Sequence, residues 1–466
     1  MQIPIIHGAY SNEESDFRLG FPRNLEPVIL DHGISAGFLR PADGIIQLGT
    51  GPGVDRGGIN WNGICYRVMG SKLVSIAADG TTTTLGDVGD NSPATLVYSF
   101  DRLAIASAGN LYYWDGATFT QVTDPDLGTV LDVIWVDGYF MITDGQFLVV
   151  TELADPTQVN PLKYGSSEAD PDPILALLKL RNEIYALNRN TIEVFQNIGG
   201  SLFPFQRIEG AQLQRGTVGV HACCIFVDKI AFVGSGRNEK VSIWLGANGL
   251  TEKLADREVE LILGEYTEAQ LSAIEIEQRI TNAQHLLYIH LPDQTLVYNE
   301  VASRLAQHPI WYTLTSSVVG LGQYRARNFV RCYDKWLCGD PTSNSHGFTT
   351  EEVSSHYGGL VGWDFSTQIV YNEGRGAIFH ELELVSLTGR SALGTDPVIW
   401  TQYSTDGMTW SQEKSIHAGK QGERNKRLVW FQQGAVRHWR IQKFRGTSDA
   451  HISIARLEAR LEALNY

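Results

Sequence analysis

Residues 95–116 read TLVYSFDRLAIASAGNLYYWDG, and this stretch decides the fold class. Its pattern is strand, short polar turn, strand, short polar turn, strand, with aromatics at the end. The pattern recurs loosely at 59–80 (INWNGICYRVMGSKLVSIAADG), 133–150, 176–196, 222–246 and 278–300, and most weakly at 322–340. Polar turns punctuate the units at Asn62-Gly63, Phe100-Asp101-Arg102, Asp137-Gly138, Arg181-Asn182-Glu183, Asp228-Lys229 and Asn282-Ala283-Gln284. The two Asx-Gly pairs suit two-residue hairpins, because both residue types tolerate positive φ. The span 57–365 holds 309 residues, about 44 for each of seven units. That period and strand content predict an all-β chain built on a β-propeller of about six to seven blades. No unit is self-sufficient. One small sheet cannot bury both faces alone, and radial neighbours cover them.

Outside the repeats the character changes. Residues 1–56 are rich in proline and glycine and read as an N-terminal arm with loops. Residues 254–273 (LADREVELILGEYTEAQLSA) read as a helical insert: Val259, Ile262 and Leu263 share one face, and Thr267 with Gln270 fits a capping box. From residue 366 to 466 the segments AIFHELELVSL, DPVIWTQYST, KRLVWFQQGAV and HWRIQKFR are long alternating strands, which predict an added C-terminal β-sandwich-like domain. The last stretch, ISIARLEARLEAL at 452–464, reads as a strand passing into a short helix.

Composition agrees. The 466 residues include 47 glycines and 47 aromatics, the currency of short strands and tight turns. A net charge of −15 argues against open-ended nucleic-acid binding but suits a wall past which DNA slides without sticking. Cys65, Cys223, Cys224, Cys332 and Cys338 show no metal spacing and no disulfide framework, so synthesis in a reducing cytoplasm is expected. The N-terminal residues lack a signal-peptide pattern, and no run of eighteen apolar residues spans a membrane.

Catalytic candidates have blander readings. Ser404-Thr405-Asp406-Gly407-Met408-Thr409-Trp410 is similar to the Asp-box turn of sialidases, itself a structural hairpin device. His285 and His290 point to opposite faces of one strand and cannot share a metal. Gly49-Thr50-Gly51-Pro52-Gly53 contains a proline and precedes no helix, so it is not a phosphate loop. Cys223-Cys224 read as small packing residues. Asp132, Asp137, Asp144, Asp170 and Asp172 leave open a glycan-binding or glycan-cleaving propeller working through paired carboxylates. No catalytic group, metal or cofactor is expected. A basic, aromatic-interleaved stretch near the C-terminus gives the candidate partner or subunit interface: Arg424, Lys426, Arg427, Arg437, Arg440 and Lys443.

Several segments, in order, carry a family resemblance. They are Gly37-Phe38-Leu39-Arg40 with Gly44-Ile45, Arg56-Gly57, Tyr66-Arg67-Val68, Gly70, and Lys72-Leu73. Tyr266-Thr267-Glu268, HLLYIHLP at 285–292, and Leu296-Val297-Tyr298 follow. Ser404-Thr405-Asp406-Gly407 and Lys426-Arg427-Leu428-Val429-Trp430 complete the set. In this order the chain resembles the tail hub or nozzle proteins of short-tailed bacteriophages, the packaged-DNA stabilization family. The resemblance implies a non-enzymatic virion-tail subunit, made in the host bacterial cytoplasm and assembled as a homo-hexameric ring. That ring would sit below the portal adaptor protein, with the tail needle and the tail fibres or tailspikes as neighbours. It would retain packaged double-stranded DNA and pass it during ejection without reading its sequence.

Overall fold

The computed structural model describes residues 1–6, 9–13, 16–30, 37–89, 93–371 and 375–464. Among them, seven antiparallel sheets follow one another along the chain from residue 55 to 350, six of four strands and one, the fifth, of five. Each sheet is a blade, with its strands side by side in sequence order apart from a short extra pairing in blade 5 and the outer strand of blade 7, which comes from residues 44–50. Blade 2, which holds the opening stretch, is Thr95–Tyr98, Leu103–Ser107, Asn110–Trp114 and Phe119–Gln121.

The turns follow from the residues. Asn62 and Gly63 take φ of 53° and 79°, and Asp137 and Gly138 take 49° and 92°, the paired left-handed geometry of a tight hairpin. Blade 6 makes the same turn with Asn282 and Ala283 at 46° and 60°. Alanine is strained there, and its Cβ serves no packing because the residue is exposed. Ala283→Gly is therefore expected to stabilise the chain by about 0.5–1 kcal/mol, read as a higher thermal midpoint.

Apolar clusters lie between the blades. Trp61, Tyr66 and Val68 of blade 1 pack on Leu103, Ile105 and Tyr112 of blade 2. Equivalent clusters fill each following gap, up to Cys65, Met69 and Val74 against Val330, Cys332 and Leu337 where blade 7 meets blade 1. Each sheet is thus buried on both faces by its neighbours, which is why no repeat stands alone.

The first 56 residues do not form a separate arm. Gly44–Thr50 pairs antiparallel with Ser345–Thr350 and supplies the outer strand of blade 7, so the ring is closed by a strand from the start of the chain. Leu25–Ile29 and Gly37–Pro41 join the C-terminal sandwich. Pairing removes the open strand edges these segments would otherwise expose.

The sandwich has two sheets. Gln2–Ile3, Leu25–Ile29, Gly37–Pro41, Ala377–Leu387, Leu428–Phe431, Ala435–Val436 and Ser453–Ala463 form one. Gly362–Ser366, Val370–Tyr371, Val398–Ser404, Lys414–His417 and Trp439–Thr447 form the other. Phe365, Phe444 and Trp430 stack between them, with ring centres 5.2 and 5.5 Å apart. The expected C-terminal helix is absent. Ser453–Ala463 is an eleven-residue strand that pairs with Ala377–Leu387. Its register shifts between Ile454 and Arg456, so the buried Ile454 and Leu457 fall three apart and mimic helical spacing.

The insert before blade 6 holds two short helices, Arg257–Leu263 and Glu268–Ser272. Thr267 and Gln270 exchange both capping-box bonds, at 3.3 and 2.9 Å. A third helix, Glu300–Ala306, was not evident from the sequence. Asn299 caps it by accepting the Ala302 N–H at 3.0 Å.

The sandwich is fixed to blades 6 and 7. Asn24, at the entry to the sandwich strand Leu25–Ile29, donates to Thr315 O beside blade 6 at 3.0 Å, and Arg23 Nη1 donates to Thr315 Oγ1 at 3.3 Å. Arg40 bridges Glu26 at 2.7 Å and Glu351 at 2.8 Å.

Candidate interfaces and the axial channel

The innermost strands are Asp55–Trp61, Thr95–Tyr98, Asp132–Val136, Ile174–Leu180, Cys223–Phe226, Glu275–Thr281 and Arg327–Cys332. Each touches the next, and the last touches the first. A buried polar network staples this closing seam. Arg67 Nε and Nη2 donate to Asp55 at 2.7 and 2.8 Å, with both side chains fully buried. Asn328 of blade 7 donates to Asp55 at 2.8 Å, and Arg67 reaches back to Asn328 O at 3.0 Å. Glu277 of blade 6 accepts the N–H groups of Asn328 and Phe329 at 2.9 and 2.7 Å, and bonds His290 at 2.8 Å. Gly339 makes room: a Cβ there would lie 2.1 Å from the Asp55 carboxyl carbon. A buried ion pair costs much desolvation, and this one is compensated by near-complete hydrogen bonding.

The propeller axis is bridged on the face where the inner strands begin. His221, between strands of blade 5, lies 3.2 Å by Nε2 from Pro93 O, on the segment leading into blade 2. Val220, Ser272 and Ala273 line the same mouth. Asp132 lies at that end and ties three blades together. It accepts from Thr95 Oγ1 at 2.8 Å, its neighbour Val133 N–H at 2.9 Å and Leu177 N–H at 2.8 Å, and burial raises its carboxyl above the ordinary range.

The other carboxylates serve locally. Asp144 caps the turn to Phe147 at 2.7 Å, Asp172 accepts the Asn190 N–H at 2.6 Å, Asp137 bonds Asn197 at 3.0 Å, and Asp170 pairs with Arg237. Asp406 accepts from Met408 and Thr409 N–H at 2.9 and 2.8 Å and from Ser404 Oγ at 2.9 Å. The Thr409 hydroxyl and these N–H groups hold the Asp406 carboxyl below its usual range, as a hairpin cap requires. His290 is buried against Thr295 and Glu277, while His285 lies on the other face of the strand. The five thiols are free, and burial pushes Cys65 up to about 11 and Cys338 up to about 12. Among the described residues no group of three or more His, Cys, Asp or Glu is placed to hold a metal. No helix there is long and apolar enough to cross a membrane.

The six basic residues of the candidate interface do not share one face. Arg440 is in the sandwich core, donating to Gln442 Oε1 at 2.7 and 2.9 Å and to Gln433 O at 2.6 Å, stacked 3.9 Å from the Tyr403 ring centre. Burial lowers its guanidinium to about 10, and it is not an interface residue. The basic character of the stretch pointed to an interface, but the polar partners of Arg440 are buried alongside it. Arg427 is exposed but paired with Glu383 at 2.6 Å. Lys443 is half-buried, 5.9 Å from the Trp410 ring centre. Arg437 follows Val436, which pairs with Ala377, whereas Arg424 and Lys426 precede Leu428, which pairs with Leu384. Seven residues of one strand separate those two ends, roughly 23 Å. Arg424 and Lys426 therefore form one exposed tip and Arg437 another. This division depends on strand pairing, for which local sequence carries no signal.

Comparison with known proteins agrees with this architecture. The family described as bacteriophage P22 Gp10, β-propeller, matches residues 1–354, and the one described as bacteriophage P22 Gp10, β-sandwich, matches residues 362–462. The tail hub protein gp10 of Salmonella phage P22 is 25% identical over 487 aligned positions, covering 99% of each chain. Among solved structures, the Neurospora crassa Pan2 WD40 domain (11% identity, 66% of this chain and 95% of that one) has a TM-score of 0.42. The N-terminal domain of Nup159 (9% identity, 71% and 98%) has a TM-score of 0.43. With the propeller and sandwich matched in turn and in the order the sheets show, the chain belongs to the bacteriophage P22 Gp10 family of phage stabilisation proteins.

Proposed function

We propose that this chain is a structural, non-enzymatic subunit of a phage tail hub, and that copies of it form a ring through which genomic DNA is held and then passed. The bridged propeller axis carries this reading further than the family alone. A DNA duplex is wider than its own major groove, itself about 12 Å across, whereas His221 and Pro93 approach to 3.2 Å between the inner ends of blades 5 and 2. A duplex path therefore lies between copies, not through one. A homo-hexamer below the portal adaptor, contacting the needle and the fibres or tailspikes, provides such a path.

The net charge of −15 supports a conduit that does not grip phosphates. Free, buried thiols support assembly in a host cytoplasm before incorporation into the virion tail. Native mass spectrometry of the full chain mixed with its adaptor complex tests the reading. Hexamers are expected, and a monodisperse monomer in the presence of adaptor would overturn it.

A further inference from the structure

Glu26 is turned away from the sandwich core. Its neighbour Leu25 packs in that core, so the alternation of the strand Leu25–Ile29 sends Glu26 to the face that rests on the propeller. Its cross-strand partner there is Arg40. Asp43, on the segment leading to the closing strand, and Arg279, Tyr288 and Tyr312 of blade 6 surround the same carboxyl. Glu26 is 3% exposed and Arg279 4%.

The hydrogen bonds at this carboxyl are lopsided. Arg40 Nε and Nη2 both lie on Oε2, at 2.8 and 2.7 Å, and the buried Oε1 has no partner. Arg325 likewise meets a single oxygen of Asp340, but there the other oxygen accepts from Thr342 N–H and Oγ1 at 2.8 and 2.7 Å. An ionised carboxylate with one oxygen buried and bare is costly. A carboxylic acid has no such oxygen: Oε2 is the carbonyl acceptor, and Oε1 is a hydroxyl that donates. That donor needs an acceptor, and Asp43 supplies one. Asp43 Oδ2 takes Arg279, whereas Asp43 Oδ1 is buried without a donor. The charges agree. Arg40 and Arg279 face three carboxyls, those of Glu26, Asp43 and Glu351, with Arg40 Nη1 2.8 Å from Glu351. A neutral Glu26 leaves two charges of each sign. Burial raises the Glu26 carboxyl above its ordinary range, with Asp43 adding to the rise and Arg40 opposing it.

We infer that Glu26 is a carboxylic acid at neutral pH, hydrogen-bonded from Oε1 to Asp43 Oδ1, and that the joint between sandwich and propeller is therefore a switch that loosens as pH rises. Ionisation sets two carboxylates side by side with no donor between them. In the unfolded chain Glu26 ionises near pH 4.3, at roughly the ordinary glutamate value. The fold holds the proton to higher pH. The contribution of Glu26 is therefore complete in acid and is lost as pH rises toward the folded value.

The variant Glu26→Gln keeps the shape of the neutral side chain and cannot ionise. Denaturant titrations of the full-length parent and variant, from pH about 4 to about 8.5, compare their folding constants while the other titrating groups cancel. The constant of the variant is expected to rise at least tenfold relative to the parent over that range. A ratio that stays flat or falls would overturn the inference, because Glu26 would then ionise in the fold as readily as in the unfolded chain. The parent alone gives a second reading should the variant not fold. Glu26 is the one glutamate among the described residues whose carboxyl is raised. With isotope-labelled glutamate, the folded chain at neutral pH is expected to show the infrared band of a protonated carboxyl. Absence of that band, as when a water bridges an ionised Glu26 to Asp43, would also overturn it. Amide protection of Leu25–Ile29 is expected to fall in alkali for the parent and to hold for the variant, and equal protection in both would remove the switch.

Discussion

Replacing Arg67 with leucine is expected to cost about 3–5 kcal/mol, because it leaves a buried carboxylate without its counter-ion. Asp55 would keep only the Asn328 amide at 2.8 Å. The carbonyls of Arg327 and Asn328 would also lose the guanidinium that now reaches them at 3.2 and 3.0 Å. The damage falls on the seam between blades 7 and 1, so amides of Asp55–Trp61 and Arg327–Cys332 should lose exchange protection before those of blades 3 and 4. Adding Asp55→Asn to Arg67→Leu is expected to recover part of the loss, since no buried charge then remains. A loss below about 1 kcal/mol for the single variant in a denaturant titration would mean that water solvates the pair.

Acid is expected to loosen the closing strand. His346 pairs with Gly49 on that strand, and its Nε2 lies 3.2 Å from Thr82 Oγ1 of blade 1. His356 bridges to Ile45 and bonds Ser316 Oγ at 2.7 Å. Burial, with the Arg67 charge nearby, lowers the His346 imidazole to about 4, and burial with Arg325 nearby lowers His356 to about 3. Both rings are neutral in the fold, whereas in the unfolded chain they titrate near 6.5. Their contribution is complete above pH about 6.5 and declines as pH falls toward 4 and 3, because the unfolded chain then binds protons that the fold excludes. By pH 4 the loss is on the order of 2–3 kcal/mol per histidine. Hydrogen exchange should show Gly44–Thr50 losing protection between pH 6.5 and 4. The variant His356→Gln should flatten the dependence of stability on pH over that range. An unchanged slope would mean the histidine titrates in the fold as it does in the unfolded chain.

The repeats were legible because their middle strands, such as Leu103–Ser107 and Tyr139–Thr143, are apolar and their turns carry Asn, Asp and Gly at positions of positive φ. Ala377–Leu387 was readable as one long strand, although its buried positions change phase after Phe379, where the register shifts. The outer strands, such as Thr82–Asp87 and Phe205–Arg207, were missed because they are short and polar, with little alternation to detect. The closing strand Gly44–Thr50 was assigned to an arm because its partner lies some 300 residues away, and local pattern carries no information about that pairing. Arg440 was placed at an interface for a related reason: charge along a strand does not reveal which charges find buried partners.

The most direct measurement is imaging of the tail assembly at a resolution that traces the chain, from gently disrupted virions. Six copies in a ring around a shared channel, with each propeller axis lying off the DNA path, are expected. DNA density running through the axis of a single propeller, or one isolated copy per tail, would contradict the account.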